Sequence, residues 1–295
     1  MTPLLVLACL GDPITLELPE GDADTDADAD ADTDADTDAD ADTDVPDPIT
    51  FSVMGDIPYG EDEIPILDEH VALHNEHSPS LFMIHLGDIK TQSSPCDEEV
   101  YTQVAAQLAA LDVPTFMLVG DNEWNDCTDP DAAWALWTAN FVGFYGDMEG
   151  VETQPGRPEN FAFVRSRAVF VGFTMPGGAV HDEADWADFL SDGAEWVEQQ
   201  LQDHDQALAA VIFTHANPSS DHDAFMTPFL AAAEDFDRPV LFVHADGHQW
   251  IHDEPWDEAP QVTRIQVEAG KDAVPLEVTV DFEDDSTWVL EREPF

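Results

Sequence analysis

Five short polar segments each follow an apolar run, and together they hold the residues best suited to bind a metal ion. In chain order they are Met54-Gly55-Asp56, His85-Leu86-Gly87-Asp88, Val119-Gly120-Asp121-Asn122-Glu123, Phe213-Thr214-His215 and His244-Ala245-Asp246-Gly247-His248. Each segment places an Asp, Asn or His where a strand is expected to end. In open α/β sheets, ligands bind outside the carboxyl ends of the strands. The order and spacing therefore predict one oxygen- and nitrogen-rich metal site.

A glycine precedes three of these acidic residues, Asp56, Asp88 and Asp121. Glycine allows a tight turn and a close backbone approach. A single Gly-Asp after a strand is a common turn and carries little information. Three of them followed by two histidine-bearing strand ends favour a metal site over ordinary turns.

The elements that must position these residues alternate along the chain. Apolar runs typical of strands are Ile49–Met54, Leu81–His85, Pro114–Val119, Phe161–Val164, Ala168–Phe173, Ala210–Thr214, Val240–His244, Val262–Glu268, Leu276–Val280 and Thr287–Leu290. Stretches with helical spacing are Asp97–Leu111, Asp182–Gln202 and Asp223–Phe236. The alternation predicts an α/β fold with a parallel or mixed sheet covered by helices. The run of strands in the last thirty-odd residues predicts a second sheet.

The motifs resemble those of the calcineurin-like metallophosphoesterases, a superfamily that includes the purple acid phosphatases. The resemblance covers Thr50 to Trp250, and GDxPY, HLGD, GDNEW and HADxH are similar to variant motifs of a divergent bacterial subgroup. It implies a four-layer αββα sandwich of two mixed β-sheets flanked by helices. It also implies one or two metal ions, with Asp88 bridging both. The implied ligands are Asp56, Asp88, Asp121, Asn122, His215, Asp246 and His248.

Family members carry D-x-H, G-D-x-x-D, G-N-H-E/D and G-H-x-H, and this chain departs from each of these motifs. Pro58 replaces the first histidine, Lys90 and Thr91 leave the second motif without its final Asp, and Asp246 replaces a histidine. In the third motif, Asp121 stands where the family's metal-binding Asn is expected. If the motif is aligned one residue further along the chain, Asn122 is the ligand instead, and both alignments remain open. The site is richer in carboxylates than usual, which favours Mn, Mg or Ca over Zn, with Fe as a further candidate.

Phosphoester hydrolysis by metal-activated water is the chemistry that the resemblance implies. Cations neutralise the phosphate oxygens and lower the pKa of the attacking water. Asn122 stands at the position of the family's substrate-facing histidine and has no proton to give to a leaving alkoxide. His85 or His244 is therefore a candidate acid, with the alternative that each holds a ligand in place. Glu123 is expected to orient a neighbouring ligand, and Lys90 to help hold the phosphate.

The charge of the chain limits its possible binding partners. The chain has 65 acidic and 8 basic residues, and its formal net charge is -57. Such a field repels nucleic acid and anionic lipid headgroups, so we expect neither as an electrostatic partner. The substrate is then expected to be a small-molecule phosphomonoester or diester. The acidic residues also repel one another, and salt screens this repulsion, which predicts a halophilic protein. The alternative is that the charge serves only to keep the protein highly soluble.

The N-terminal region differs in composition from the rest. Residues 1–12 resemble a lipoprotein-type signal remnant with Cys9 as the acylation site, the alternative being an unstructured stub. Residues 13–47 are rich in Asp, and carboxylate repulsion predicts a disordered linker. Residues 48–295 are the predicted metallophosphoesterase-like domain. We expect an extracytoplasmic protein at the cell surface or in the periplasm that touches the membrane only through the lipid anchor, the alternative being a secreted protein.

Two cysteines of the domain, Cys96 and Cys127, follow the second and third ligand turns. They are expected to lie close together and to form a disulfide, which suits an extracytoplasmic protein. Two free thiols are the alternative.

Two functions from different classes remain. The first is a metallophosphoesterase. The second is a non-catalytic, surface-displayed domain that keeps the fold and a degenerate metal site, and the missing Asn-His pair supports it. The sequence gives no indication of the oligomeric state.

Overall fold

The computed structural model describes residues 45–283 and 286–295. The signal-like segment with Cys9 and nearly all of the Asp-rich tract lie outside the described residues. The predictions made for them are therefore untested.

The first sheet has five strands in the order β12-β11-β1-β2-β3. Its strands are β1 (Ile49–Met54), β2 (Met83–His85), β3 (Thr115–Met117), β11 (Leu276–Val280) and β12 (Trp288–Glu291). The pairs β1–β2 and β2–β3 are parallel, whereas β11 and β12 are added antiparallel. Met54 lies opposite His85, and His85 lies opposite Met117. The carboxyl ends of the three parallel strands therefore lie level with one another.

The second sheet has seven strands in the order β4-β5-β6-β7-β8-β10-β9. They are β4 (Glu152–Gln154), β5 (Arg157–Arg165), β6 (Ala168–Gly172), β7 (Ala209–Phe213), β8 (Val240–His244), β9 (Ile251–Asp253) and β10 (Val262–Gln266). The four central strands β6, β7, β8 and β10 are parallel. The outer pairs are antiparallel.

Five α-helices and the short 3-10 helix Ser220–His222 complete the described part of the chain, and none of them is long and apolar enough to cross a membrane. The α-helices are α1 (Ile64–His77), α2 (Glu98–Leu108), α3 (Pro130–Phe141), α4 (Glu183–Asp203) and α5 (Asp223–Phe236). The predicted helical stretches contain α2, α4 and α5 or overlap them closely. Helices α1 and α3 were not predicted from the sequence.

Alternation of side chains along the strands builds the layers. Phe82, directly before β2, and Ile84 of β2 face a core shared with Val211 and Phe213 of β7, so this core lies between the two sheets. Met83, between those two residues, packs instead among residues of α1, α2 and α3. The outer face of the second sheet packs against α4 and α5. The result is the predicted α/β sandwich of two mixed sheets flanked by helices.

The predicted second sheet is present, but the C-terminal strands are divided between the two sheets. β10 pairs with β8 in one sheet, while β11 pairs with β1 in the other. The C-terminal strands thus extend both sheets. Their apolar pattern shows that they are buried, but it carries no information on which neighbour each will pair with.

Candidate metal centre

The candidate centre lies where strand ends of the two sheets meet. Asp56, Asp88 and Asp121 follow β1, β2 and β3 of the first sheet, and His215 follows β7 of the second. The amide of Asp56 donates to the carbonyl of Gly87 over 3.0 Å. The His215 ring nitrogen Nδ1 lies 2.9 Å from the carbonyl of Leu86 and so bonds across from one sheet to the other. The topology therefore brings the predicted segments together.

Two glycines permit the close packing of the second and third turns. A Cβ on Gly120 would lie 2.2 Å from Oδ1 of Asp88, and one on Gly87 would lie 2.4 Å from the backbone nitrogen of Gly120. Gly87 also has a φ of +102°, which favours glycine. Any side chain at these positions would push the two acidic turns apart.

Four candidate site residues have left-handed backbone conformations. They are Asp56, Asp88, Asp246 and His248, with φ angles of 56°, 60°, 67° and 57°. Seven non-glycine residues in the described part have positive φ, so these four are more than half of them. Such conformations cost free energy and cluster at functional sites. The turns therefore hold these side chains at an energetic cost, as binding sites commonly do.

The first group able to hold a metal ion consists of Asp56, Asp88 and His248, whose ligand atoms lie within 4.8 Å of one another. The Tyr59 hydroxyl lies among them, 3.0 Å from Oδ1 of Asp56, 2.8 Å from Oδ2 of Asp88 and 2.8 Å from Nε2 of His248. From its position three residues after Asp56, Tyr59 was predicted to be either a wall of the pocket or an ordinary core aromatic residue. Its contacts with three candidate ligands were not predicted.

The second group consists of Asp88, Asp121 and His215, again within 4.8 Å. Nε2 of His215 lies 3.0 Å from Oδ1 of Asp121 and 3.4 Å from Oδ1 of Asp88. Because Nδ1 of this ring is directed at the Leu86 carbonyl, Nε2 is the atom that faces the carboxylates. Asp88 belongs to both groups, which is the arrangement that a bridging carboxylate requires.

Burial and mutual repulsion shape the electrostatics of the centre. Burial raises the pKa of Asp88 well above its usual value, and the charges of Glu123, Asp121 and Asp56 raise it further. Burial opposes protonation of His215, but the charge of Asp88 and the hydrogen bond to Asp121 outweigh it and raise the His215 pKa. The clustered negative charge is therefore only partly compensated by protein groups.

Asn122 and Asp246 occupy different positions relative to the two groups. The Asn122 backbone amide donates to Oδ1 of Asp88 over 3.1 Å, and its side-chain amide donates to Oδ2. The carboxylate of Asp121 belongs to the second group. Asp121 and Asn122, the two alternative ligands of the third motif, therefore both lie against Asp88. Asp246 lies outside both groups, and its Oδ2 accepts a hydrogen bond from the amide of Asn217 at 3.1 Å.

Glu123 ties two of the turns together and is fully buried. Its Oε1 accepts hydrogen bonds from the amides of Gly120 and Asp88 at 2.6 and 3.2 Å, and its Oε2 accepts one from Ile89 at 3.3 Å. This carboxylate thus orients the backbone that carries two candidate ligands.

His85 and His244 are fully buried. Nε2 of His85 donates to the carbonyl of Ile57 over 3.0 Å, and its Nδ1 accepts from the Gly87 amide. Nδ1 of His244 bonds to the carbonyl of Ala245 over 3.0 Å. Burial lowers the pKa of these two rings to about 4 and about 3. Their contacts are with backbone groups of the ligand turns.

Lys90 is buried, and its ammonium group donates to the carbonyls of Thr91 and Asn122. Its contacts are thus backbone carbonyls of the same loops, which differs from the phosphate-facing position expected from the sequence.

Cys96 and Cys127 form a disulfide with a Cα–Cα distance of 6.0 Å, so the predicted pairing is confirmed. Their sulfur atoms lie 3.9 and 3.7 Å from the carbonyl oxygen of Asn122. The disulfide therefore joins the second and third turns behind the candidate ligands.

The two mixed sheets are flanked by helices, and an acidic, histidine-containing candidate centre lies at their strand ends, which is the arrangement that the motif resemblance implied. Solved structures with similar folds include GAP50, an anchor in the inner membrane complex of Plasmodium. That likeness has a TM-score of 0.51 and 9% identity and covers 83% of this chain and 88% of the other. The predicted sandwich of two mixed sheets flanked by helices is confirmed.

Two further similar structures are TT1561 of Thermus thermophilus and the purple acid phosphatase PPD1 of yellow lupin. The first has 12% identity and a TM-score of 0.48, covering 83% of this chain and 98% of that one. The second has 11% identity and a TM-score of 0.47, covering 84% of this chain and 48% of that one. No family model matches the sequence, and no curated protein matches it.

Proposed function

We propose that the chain is a metal-dependent phosphoesterase that hydrolyses a small-molecule phosphomonoester or diester. The observation that carries the proposal is the pair of metal-capable groups that share Asp88 at the carboxyl ends of parallel strands. A shared carboxylate between two cations is typical of metal-assisted hydrolysis of phosphoesters.

The donor set fits a cation. Asp56 is fully buried, and its Oδ2 has no hydrogen-bond partner among the described residues. A buried carboxylate oxygen without a partner is costly unless a cation or a donor compensates it. The neighbouring carboxylates of Asp88 and Asp121 add further negative charge that a cation would compensate.

Oxygen donors predominate at the centre, which favours Mn or Mg as the resident ion. Iron, calcium and zinc are the other candidates. The residues proposed to hold the ion are Asp56, Asp88, Asp121, His215 and His248, with Asn122 beside them. When bound, such a cation supplies charge neutralisation for the phosphate oxygens and a lower pKa for the attacking water.

The remaining residues at the centre position this donor set. Asn122 donates two hydrogen bonds to Asp88 and so sets the direction of both carboxylate oxygens. Glu123 fixes the two turns through backbone amides. His85 acts in the same way through Ile57 and Gly87, so we propose positioning roles for His85 and His244 rather than proton transfer.

A non-catalytic domain is the second candidate function. One specific observation favours it: in the described part of the chain, His85 and Nδ1 of His244 bond to backbone groups, and the Lys90 ammonium group donates to two carbonyls. These three residues are therefore not placed to donate a proton or to bind a phosphate at the two groups. GAP50, which is similar in fold, is an anchor rather than a named hydrolase.

Elemental analysis combined with turnover separates the two functions. The purified chain is expected to retain at least one divalent ion, which Asp88→Ala loses, and to hydrolyse a generic aryl phosphate with added Mn²⁺. Retained metal without turnover on several phosphomonoesters and diesters favours the non-catalytic domain. Absence of any bound ion contradicts both forms of the proposal.

We also propose an extracytoplasmic location, with attachment to the membrane through Cys9. The disulfide between Cys96 and Cys127 supports an oxidising compartment. Alkylation of both thiols in a peptide map of the freshly isolated protein would contradict the location. Mass spectrometry of the mature N-terminus tests the lipid on Cys9.

A further inference from the structure

A cavity of about 470 Å³ lies beside the candidate metal centre. Its walls include four aromatic side chains, which are Trp124, Trp134, Trp186 and Phe189. The rings of Trp124 and Trp134 have centroids 4.7 Å apart, and Trp124 and Phe189 are equally close. Trp124, Trp134 and Phe189 therefore form a packed aromatic cluster, while the ring of Trp186 stacks on His222.

The cavity shares a stretch of backbone with the metal centre. Asn125 lines it and lies four residues after the candidate ligand Asp121. The Asn125 side-chain amide donates to the carbonyl of Gly177 over 2.9 Å. A Cβ on Gly177 would lie 3.3 Å from Oδ1 of Asp121. One group bound in the cavity and another at the metal centre would therefore be separated by little more than this turn.

The charges around the cavity are negative. Asp131, Asp185 and Asp188 line it with exposed carboxylates. The basic side chain in its wall, Arg157, donates to Asp192 over 2.7 Å. The guanidinium carbon of Arg157 also lies 3.8 Å from the centroid of the Phe189 ring. A ring of this wall thus already binds a cation of the protein, and the neighbouring carboxylates have no such partner among the described residues.

Asn125 adds a polar side chain to the wall. Only 6% of this residue is exposed, and its side-chain nitrogen is engaged by the carbonyl of Gly177, so the amide oxygen is its remaining polar atom. An amide oxygen is a hydrogen-bond acceptor and attracts positive rather than negative partial charge.

We propose that the cavity binds the quaternary ammonium group of a phosphoester substrate. Aromatic faces flanked by carboxylates are the arrangement that recognises such cations, because the ring faces and the carboxylates both attract positive charge. The inference rests on the proposed phosphoesterase function. It names the substrate class as a zwitterionic ester, with the phosphate at the metal centre and the cationic alcohol in the cavity. Such a substrate also meets less repulsion from a chain of net charge -57.

Binding is tested first, without turnover, on the full chain stripped of metal. Choline and its uncharged carbon isostere 3,3-dimethylbutanol are titrated by saturation-transfer NMR in constant high NaCl. We expect choline to bind at least tenfold more tightly. Equal binding of the two alcohols overturns the proposal, because it shows an apolar pocket without preference for charge.

Variants locate the site. Trp186→Leu is expected to weaken choline binding at least fivefold, whereas the matched control Trp288→Leu, on β12, leaves it unchanged. The surface variant Asp185→Asn/Asp188→Asn guards against misfolding of the tryptophan variant. It is expected to weaken choline severalfold without changing the affinity for the neutral alcohol. Wild-type choline binding by both cavity variants contradicts the assignment.

Hydrolysis of choline phosphate and 3,3-dimethylbutyl phosphate then separates the two proposals. A tenfold higher kcat/KM for the choline ester, lost in Trp186→Leu, supports the substrate class. Choline binding without hydrolysis of either ester retains the cation site and contradicts the phosphoesterase. Equal hydrolysis of both esters without choline binding retains the phosphoesterase and overturns the cation site.

Discussion

The hydroxyl oxygen of Tyr59 lies 2.8 Å from Oδ2 of Asp88, although the two residues belong to turns that follow different strands. The same oxygen lies 2.8 Å from Nε2 of His248, which follows a strand of the other sheet. Burial and the nearby charges of Asp88 and Asp56 raise the pKa of Tyr59, so its hydroxyl keeps its proton at neutral pH. A single phenol therefore links three of the turns that carry candidate ligands.

Replacing this hydroxyl is expected to weaken metal binding. In Tyr59→Phe, the carboxylates of Asp56 and Asp88 lose a donor that orients them, and such losses commonly cost about 10–100-fold in metal affinity. The Kd for Mn²⁺ by isothermal titration calorimetry measures the effect. Tyr145→Phe, whose ring stacks on Phe116 in the core between the sheets, is the control and is expected to bind Mn²⁺ as the wild type does. An unchanged Kd in Tyr59→Phe would show that the hydroxyl does not orient the donors.

Divalent ions are expected to stabilise the folded chain through Asp88. Ligands that bind only the folded state add about 2.7 kcal/mol at a concentration of 100 Kd. For a domain of this size, that is a rise in Tm of about 5–10 °C. Differential scanning fluorimetry with and without Mn²⁺ measures the shift. Asp88→Asn should lose it, while Asp192→Asn, which only breaks the ion pair with Arg157, should keep it. The same Tm shift in Asp88→Asn would be evidence against the shared carboxylate.

The motifs allowed much of the centre to be predicted, because each lies directly after a buried strand. The prediction that Asp56, Asp88, Asp121, His215 and His248 lie together needs only parallel strands with level ends. The structure brings these five side chains into the two groups. Their role as ligands stays a prediction.

Tyr59 could not be placed in the same way. Its position depends on the path of the loop after β1, and residue spacing does not determine that path. Helix α1 was not predicted because its buried face contains His70 and His74 as well as apolar residues. Helix α3 was not predicted because alanines and aromatic residues occur on all sides of it and leave no clear apolar stripe. In each of these cases, tertiary packing decided what local spacing left open.

The disulfide is expected to stabilise the domain. Cys96 and Cys127 are 31 residues apart, and closing a loop of this length contributes about 3–4 kcal/mol in the chain-entropy model. Urea unfolding of Cys96→Ser/Cys127→Ser against the wild type measures the loss. Dithiothreitol should destabilise the wild type and leave the double variant unchanged. Equal stability of the two proteins under oxidising conditions would contradict the expectation.

His244 is expected to make the stability depend on pH. Burial lowers its folded-state pKa to about 3, whereas an unfolded histidine titrates near 6.5. Between these values the unfolded chain binds a proton that the folded chain does not, so the free energy of unfolding falls as the pH falls below about 6.5. The loss from this group is about 2 kcal/mol at pH 5.

Urea unfolding at several pH values between 5 and 8 measures this dependence. His244→Leu should reduce the slope by up to one proton, and His252→Leu, at an exposed position, should not. Comparing variants in the same buffers removes the contribution of the carboxylates at the centre. Parallel pH profiles for the wild type and His244→Leu would show that this ring does not titrate between the two states.

Salt is expected to raise the Tm of this chain. Its net charge of -57 opposes the compact state, and added ions screen repulsion over a distance that falls from about 10 Å at 0.1 M to about 3 Å at 1 M. The Tm should therefore rise steeply up to about 1 M NaCl and then level off, as screening becomes complete. Sucrose of equal osmolality is the control, because it favours compact states without screening charge. A flat or falling Tm in NaCl, or an equal rise in sucrose, would show that repulsion between the carboxylates does not limit stability.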